Sequence, residues 1–250
     1  MSLGRYLRSG ALSGLTLAMS VCAGYSAVTV DLETGIVSPG YNDIKIPGNT
    51  GTRFSLTDSL AVESKAFYRL RLTKEIKKDN FISVLFAPLT LAAEGIVKTP
   101  VNYNNDAFAA NTAVTAKYRF DSYRVSYWKN YRKSGRLNLK IGFTAKIRDA
   151  AISITGGGVE SEKKNTGFVP LLNFGADYAL GEKLKLIFDA DALAGGPGRA
   201  EDVLLALQYR TGSNTGFRLG YRFVEGGADT DEVYNFALLN YASAAFILNF

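Results

Sequence analysis

Between Leu137 and Arg148 every odd position is apolar and every even position is small or polar. A pleated strand sends those two sets to opposite faces, whereas a helix would scatter them. The same period of two returns from Val114 to Phe120 and from Phe217 to Phe223. After residue 27 no stretch approaches 18 uninterrupted apolar residues, so the chain reads as strands throughout, with no membrane-spanning helix.

Two architectures bury such a pattern. A soluble β-sandwich packs the apolar face against a second sheet. A membrane barrel turns that face to lipid and keeps its charges inside. The punctuation discriminates between them. Short breaks fall near 77–80, 132–135, 181–183 and 211–214. Longer ones fall near 38–52, 93–109, 155–166, 194–201 and 225–232. Long and short breaks alternate strictly, the layout of an outer-membrane barrel with tight periplasmic turns and longer outer loops.

Ten strands are predicted, at roughly 28–37, 53–76, 80–92, 110–131, 136–154, 167–180, 183–193, 202–210, 216–225 and 232–250. They form one closed antiparallel transmembrane β-barrel over residues 24–250. In the fourth strand the apolar phase shifts at Asp121-Ser122, which reads as a β-bulge. If it is a turn, eight or twelve strands result. The predicted lipid face includes Leu137, Leu139, Ile141, Phe143, Phe217, Leu219 and Tyr221. Tyr127, Trp128, Tyr131, Tyr178, Tyr209, Phe217 and Phe250 would form a girdle near the short turns.

The N-terminus reads as an export signal. Arg5 and Arg8 precede a small and apolar stretch from Ala11 to Ala23. Cleavage is expected after Ala23, or as late as Ala27. The route then runs through the periplasm to the bacterial outer membrane. The last residues put apolar side chains at Phe246, Leu248 and Phe250, similar to the assembly signal that ends bacterial outer-membrane barrels. Expected partners are outer-membrane lipid and lipopolysaccharide, and the barrel-assembly machinery during biogenesis. The formal net charge of +6 is small and scattered, so nucleic acid is not expected. Oligomeric state is not legible.

Three segments, 51–56, 143–150 and 221–229, carry a further likeness. In them the chain resembles an uncharacterised family of proteobacterial outer-membrane proteins. The resemblance implies a barrel over most of the chain and supplies no activity.

The sequence contains no histidine and one cysteine, Cys22. Imidazole-dependent hydrolases and most zinc sites are therefore excluded. Outer-membrane barrel proteases, deacylases, palmitoyltransferases and phospholipases rely on a histidine, so none of their sites carries over. No catalytic residue, metal or cofactor is assigned. Asp189 and Asp191 share one strand face and could serve as acid and base, although pairing with inward cations is the commoner fate of such groups. The expected outer-half lumen network is Glu33, Arg148, Asp189, Asp191, Arg199, Asp202, Arg222 and Glu225. The expected periplasmic half is a basic vestibule of Arg69, Arg71, Lys140, Lys185, Arg210 and Arg218 with almost no acid. Three functions stay open: a structural or surface-exposed barrel with a largely plugged lumen, a narrow channel for small anionic solutes, or a histidine-free barrel enzyme.

Overall fold

The computed structural model describes residues 27–250, so the export signal and its cleavage site lie outside the described residues. Fifteen strands follow in chain order. They are β1 (Val28–Lys45), β2 (Phe54–Ser55), β3 (Ala61–Val62), β4 (Lys65–Lys77) and β5 (Asn80–Ala87). Next come β6 (Thr90–Val97), β7 (Val101–Tyr103), β8 (Asp106–Phe108), β9 (Thr112–Ser134) and β10 (Leu137–Gly156). The last five are β11 (Val159–Ala179), β12 (Leu184–Gly195), β13 (Gly198–Arg210), β14 (Thr215–Asp229) and β15 (Tyr234–Asn249).

Ten of these close the barrel, in the order β1, β4, β5, β9, β10, β11, β12, β13, β14, β15. The last pairs antiparallel with the first, from Thr29↔Asn249 to Lys45↔Tyr234. Closure leaves no free sheet edge around the base, the condition for β-structure in hydrocarbon. Strand β6 extends β5 along the same neighbour, β9, after a break at Pro88-Leu89. Asp121 serves that break: its carboxylate accepts the Leu89 N–H at 3.0 Å.

The four short breaks are tight turns at the end that holds both described chain ends, the periplasmic end of such a barrel. At the other end the strands run further than expected. The stretches near 155–166 and 194–201 are not long loops but strand. They turn through Gly157-Gly158, both at positive φ, and through Gly196-Pro197. The outer end is instead capped by β2, β3 and the β7–β8 hairpin. Beneath them lies an apolar cluster with Ile44, Leu56, Val101, Tyr103, Val114, Ala116 and Ile154. The Tyr103 hydroxyl donates to the Ile152 carbonyl at 2.7 Å.

Asp121-Ser122 is not a bulge. β9 and β10 stay in register across it, from Tyr118↔Ile152 through Ser122↔Arg148 to Ser126↔Thr144. The inward positions keep one phase: Val114, Ala116, Tyr118, Ser122, Arg124, Ser126 and Trp128 are all buried. What changes is their chemistry. Above the switch the interior is apolar and the exterior carries Thr115, Lys117 and Arg119. Below it the interior is polar and the exterior carries Tyr123, Val125 and Tyr127. β10 inverts at the same level, from exterior Phe143 and Ile147 to exterior Asp149 and Ser153. Below the line the wall faces lipid; above it, water. Phe143 and Leu219, each 66% exposed, are among the most open side chains of the apolar belt. Trp128 is absent from the girdle expected near the short turns. It is buried inside, stacked on Phe81 at 5.5 Å.

Gly35 is required where β1 meets β15. Its φ is +143°, and a Cβ there would stand 2.0 Å from the Ala242 carbonyl oxygen. Gly35→Ala is expected to cost about 1–3 kcal/mol through backbone strain alone. Loss of the heat-modifiable gel form at a lower urea concentration than the parent would register it.

Candidate functional site

The lower half of the interior is filled by charge. Strand alternation aims Asp31 and Glu33 inward from β1, Arg69 from β4, Arg124 from β9, Asp191 from β12, Asp202 from β13, and Arg218 and Arg222 from β14. Four carboxylates thus meet four guanidiniums, and the layer is neutral. Arg222 clamps Glu33 with Nε and Nη2, each at 2.9 Å, and also pairs with Asp202. Arg69 reaches Asp202 at 2.9 Å. Arg124 bridges Asp191 at 2.9 Å and Asp202 at 2.7 Å. Arg218 pairs with Asp31 and, at 3.3 Å, with Glu33. The neutral donors Thr144 and Asn173 complete Asp191 at 2.7 and 2.8 Å. Asp202 receives arginines from β4, β9 and β14, so the network crosses the barrel rather than lining one wall.

The expected acid-poor vestibule does not form. Arg69 and Arg218 belong to the mixed layer itself. Lys140 pairs with Asp189 at 3.0 Å, and Lys185 with Asp177 at 3.4 Å. Arg210 is exposed at the periplasmic turn, donating to the Glu182 carbonyl at 3.0 Å. Arg71 is half-buried on β4. A polar cavity of about 370 Å³ opens at this end, lined in part by Lys183, Lys185, Gln208 and Arg210.

Of the outer set, Glu33, Asp191, Asp202 and Arg222 meet in the layer, with Asp189 at its edge. Arg199, Glu225 and Arg148 do not. Arg199 and Glu225 form their own pair at 2.8 Å near the outer rim, and Tyr41 donates to Glu225. Burial and that carboxylate push the Tyr41 phenol up to about 12. Arg148 donates only to the amide oxygen of Asn165 among the described contacts.

Sequence reasoning missed Asp31, Arg124, Asp177 and Lys146. Each was marked by alternation: Asp31 lies two residues before Glu33, and Arg124 sits between outward Tyr123 and Val125.

Above the layer lies a cavity of about 450 Å³. Its wall includes Phe120, Lys146, Arg148, Phe168, Pro170 and Leu193. It sits where the wall divides. β11 pairs with β12 only from Leu172↔Ala192 to Ala179↔Lys185, whereas β10 follows β11 out to Gly156↔Val159. Among the described residues, β11 therefore has no ladder partner in β12 beyond Leu172. Pro170, which lacks an N–H, stands just past the last rung.

No family model matches the chain, and no curated protein matches it. Solved structures do. The outer-membrane protease OmpT of Escherichia coli aligns with a TM-score of 0.53 over 90% of this chain and 97% of that one. The fold is that of a bacterial outer-membrane β-barrel. Sequence identity with OmpT is 8%, so the likeness carries architecture and nothing of that protein's chemistry. The attachment invasion locus protein Ail of Yersinia pestis aligns at TM-score 0.39 and 12% identity, over 88% of this chain and 99% of that one. Neisserial surface protein A aligns at 0.32 and 15%, over 90% and 97%. The exposed apolar belt and this fold together assign the chain to the bacterial outer membrane.

Proposed function

We propose that this chain is a closed, non-conducting outer-membrane barrel that acts through its outer half. The carrying observation is the neutral ionic layer. Buried side chains from six barrel strands interlock across the lumen, and Asp202 and Glu33 each hold three arginines. An ion passing through would have to displace mutually satisfied charge pairs in a confined space. On this reading Asp189 and Asp191 are structural, since Lys140 and Arg124 already occupy their carboxylates. Lipid and lipopolysaccharide surround the belt. Phe246, Leu248 and Phe250 are the signal read during assembly.

The test is conductance of the refolded protein in a planar bilayer, with a salt gradient for selectivity. Heat-modifiable migration of the same sample shows that it is folded. A folded and silent protein is expected. Discrete anion-selective steps would overturn the reading in favour of a narrow channel.

A further inference from the structure

We propose that the outer cavity binds a single-chain amphiphile with an anionic head, received sideways from the bilayer through the gap between β11 and β12. Three independent features meet there. The first is the opening. The β11–β12 ladder stops at Leu172↔Ala192. Phe168 and Pro170 on one side and Leu193 on the other line the cavity with apolar surface. Phe168 and Leu172 face outward on the same strand as the lipid-facing Phe174. A hydrocarbon chain passing through would stay in apolar surroundings.

The second feature is charge. Lys146 is 3% exposed and lines the cavity. Among the described residues its ammonium has no ion pair or hydrogen bond. Its neighbour is the ring of Phe120, at 4.7 Å from the centroid. Arg148, two residues on, shares the same face. Its Nε is buried without a partner, and Asn165 is a neutral acceptor. Asp191 and Asp202 below are committed to arginines, and Glu225 opposite is committed to Arg199 and Tyr41. A buried ammonium without a counter-charge is unfavourable, and an anion seated beside it relieves that penalty.

The third feature is size. A cavity of about 450 Å³ falls in the range that holds one small molecule. It suits one acyl chain and is too small for a lipid with several. The site stands on the gap and its cations, whether or not ions cross the layer beneath.

The experiment uses the mature chain in nanodiscs of neutral phosphatidylcholine, with 11-(dansylamino)undecanoate as the fluorescent probe. Saturable blue-shifted emission is expected. Dodecanoate or dodecyl phosphate should displace the probe, and their relative potency identifies the head group. Dodecyltrimethylammonium should displace at least about tenfold more weakly. Lys146→Met should weaken probe binding by roughly tenfold to a hundredfold, the worth of one charge-assisted contact. Its resistance to urea should be unchanged or higher, which a purely structural lysine would not allow. Ala200→Trp should fill the cavity and abolish binding in protein that keeps its heat-modifiable form. Leu193→Trp, at the lip, serves if that variant does not fold. Absence of saturable binding by the parent protein would overturn the proposal. So would equal affinity in Lys146→Met, or equal displacement by the cationic competitor.

Discussion

Asp202→Asn is expected to lower the free energy of unfolding by about 3–5 kcal/mol, the cost of removing one partner from a buried charge cluster. Asp202 is held by Arg69, Arg124 and Arg222 together. Its neutralisation leaves those guanidiniums facing each other inside the wall with one carboxylate fewer to share. Asparagine keeps the volume, so the loss reports charge rather than packing. Lys164→Ala is the control. Lys164 pairs with Glu162 at 2.8 Å, but both side chains are exposed. Such a pair is worth at most about 1 kcal/mol. Urea unfolding in phospholipid vesicles, followed by gel migration, compares the two. Equal midpoints would mean that the layer is an incidental filling.

The second large effect belongs to the lipid belt. Phe143→Arg is expected to cost about 2–4 kcal/mol, the penalty for an arginine on the lipid face of a barrel near the bilayer midplane. Thr115→Arg, on the outward face of β9 above the switch, should stay within about 0.5 kcal/mol. Val114→Arg, one residue away and buried, should again destabilise by several kcal/mol, because the interior there is apolar. One substitution type thus gives opposite results on the two faces of β9, and on the outer face above and below the switch. The same urea series measures it, and a uniform response along the wall would refute the inversion.

The strands and tight turns were legible because a pleat has period two and turns need particular residues. Leu137 to Arg148 announces β10 without any neighbour. The outer boundaries were not legible. Alternation in a lipid-facing strand means apolar outside, and the rule reverses where the wall leaves the membrane. Hence Asp121-Ser122 looked like an inserted residue. The strands beyond 155 and before 202 looked like loops, since their polar residues face water on the outside of a continuing sheet. Inward acids such as Glu33, Asp191 and Asp202 could be named from alternation alone. Their partners could not. Strands in a barrel are tilted and staggered, so equal distances from a turn are not equal heights. Arginine adds several ångströms of reach. Arg69 and Arg218, counted from the turns as periplasmic, therefore join acids in the layer. Alternation marks Lys146 as inward, but nothing in one strand reveals that its surroundings lack a carboxylate.

The switch in wall chemistry also acts as a draught mark. Arg119, Asp121 and Asp149 sit on one level of the outer face, linked by Arg119 to Asp149 at 3.1 Å and to Asp121 at 4.0 Å. Sinking the barrel by about 5 Å, the rise of two residues on a tilted strand, would drag this collar toward hydrocarbon. Floating it upward by as much would lift Ile147 and Tyr123 into water. Both displacements are opposed, so the molecule has a fixed waterline. The cap therefore rides at a set height above the lipid, and the mouth of the side cavity opens at a set height within it.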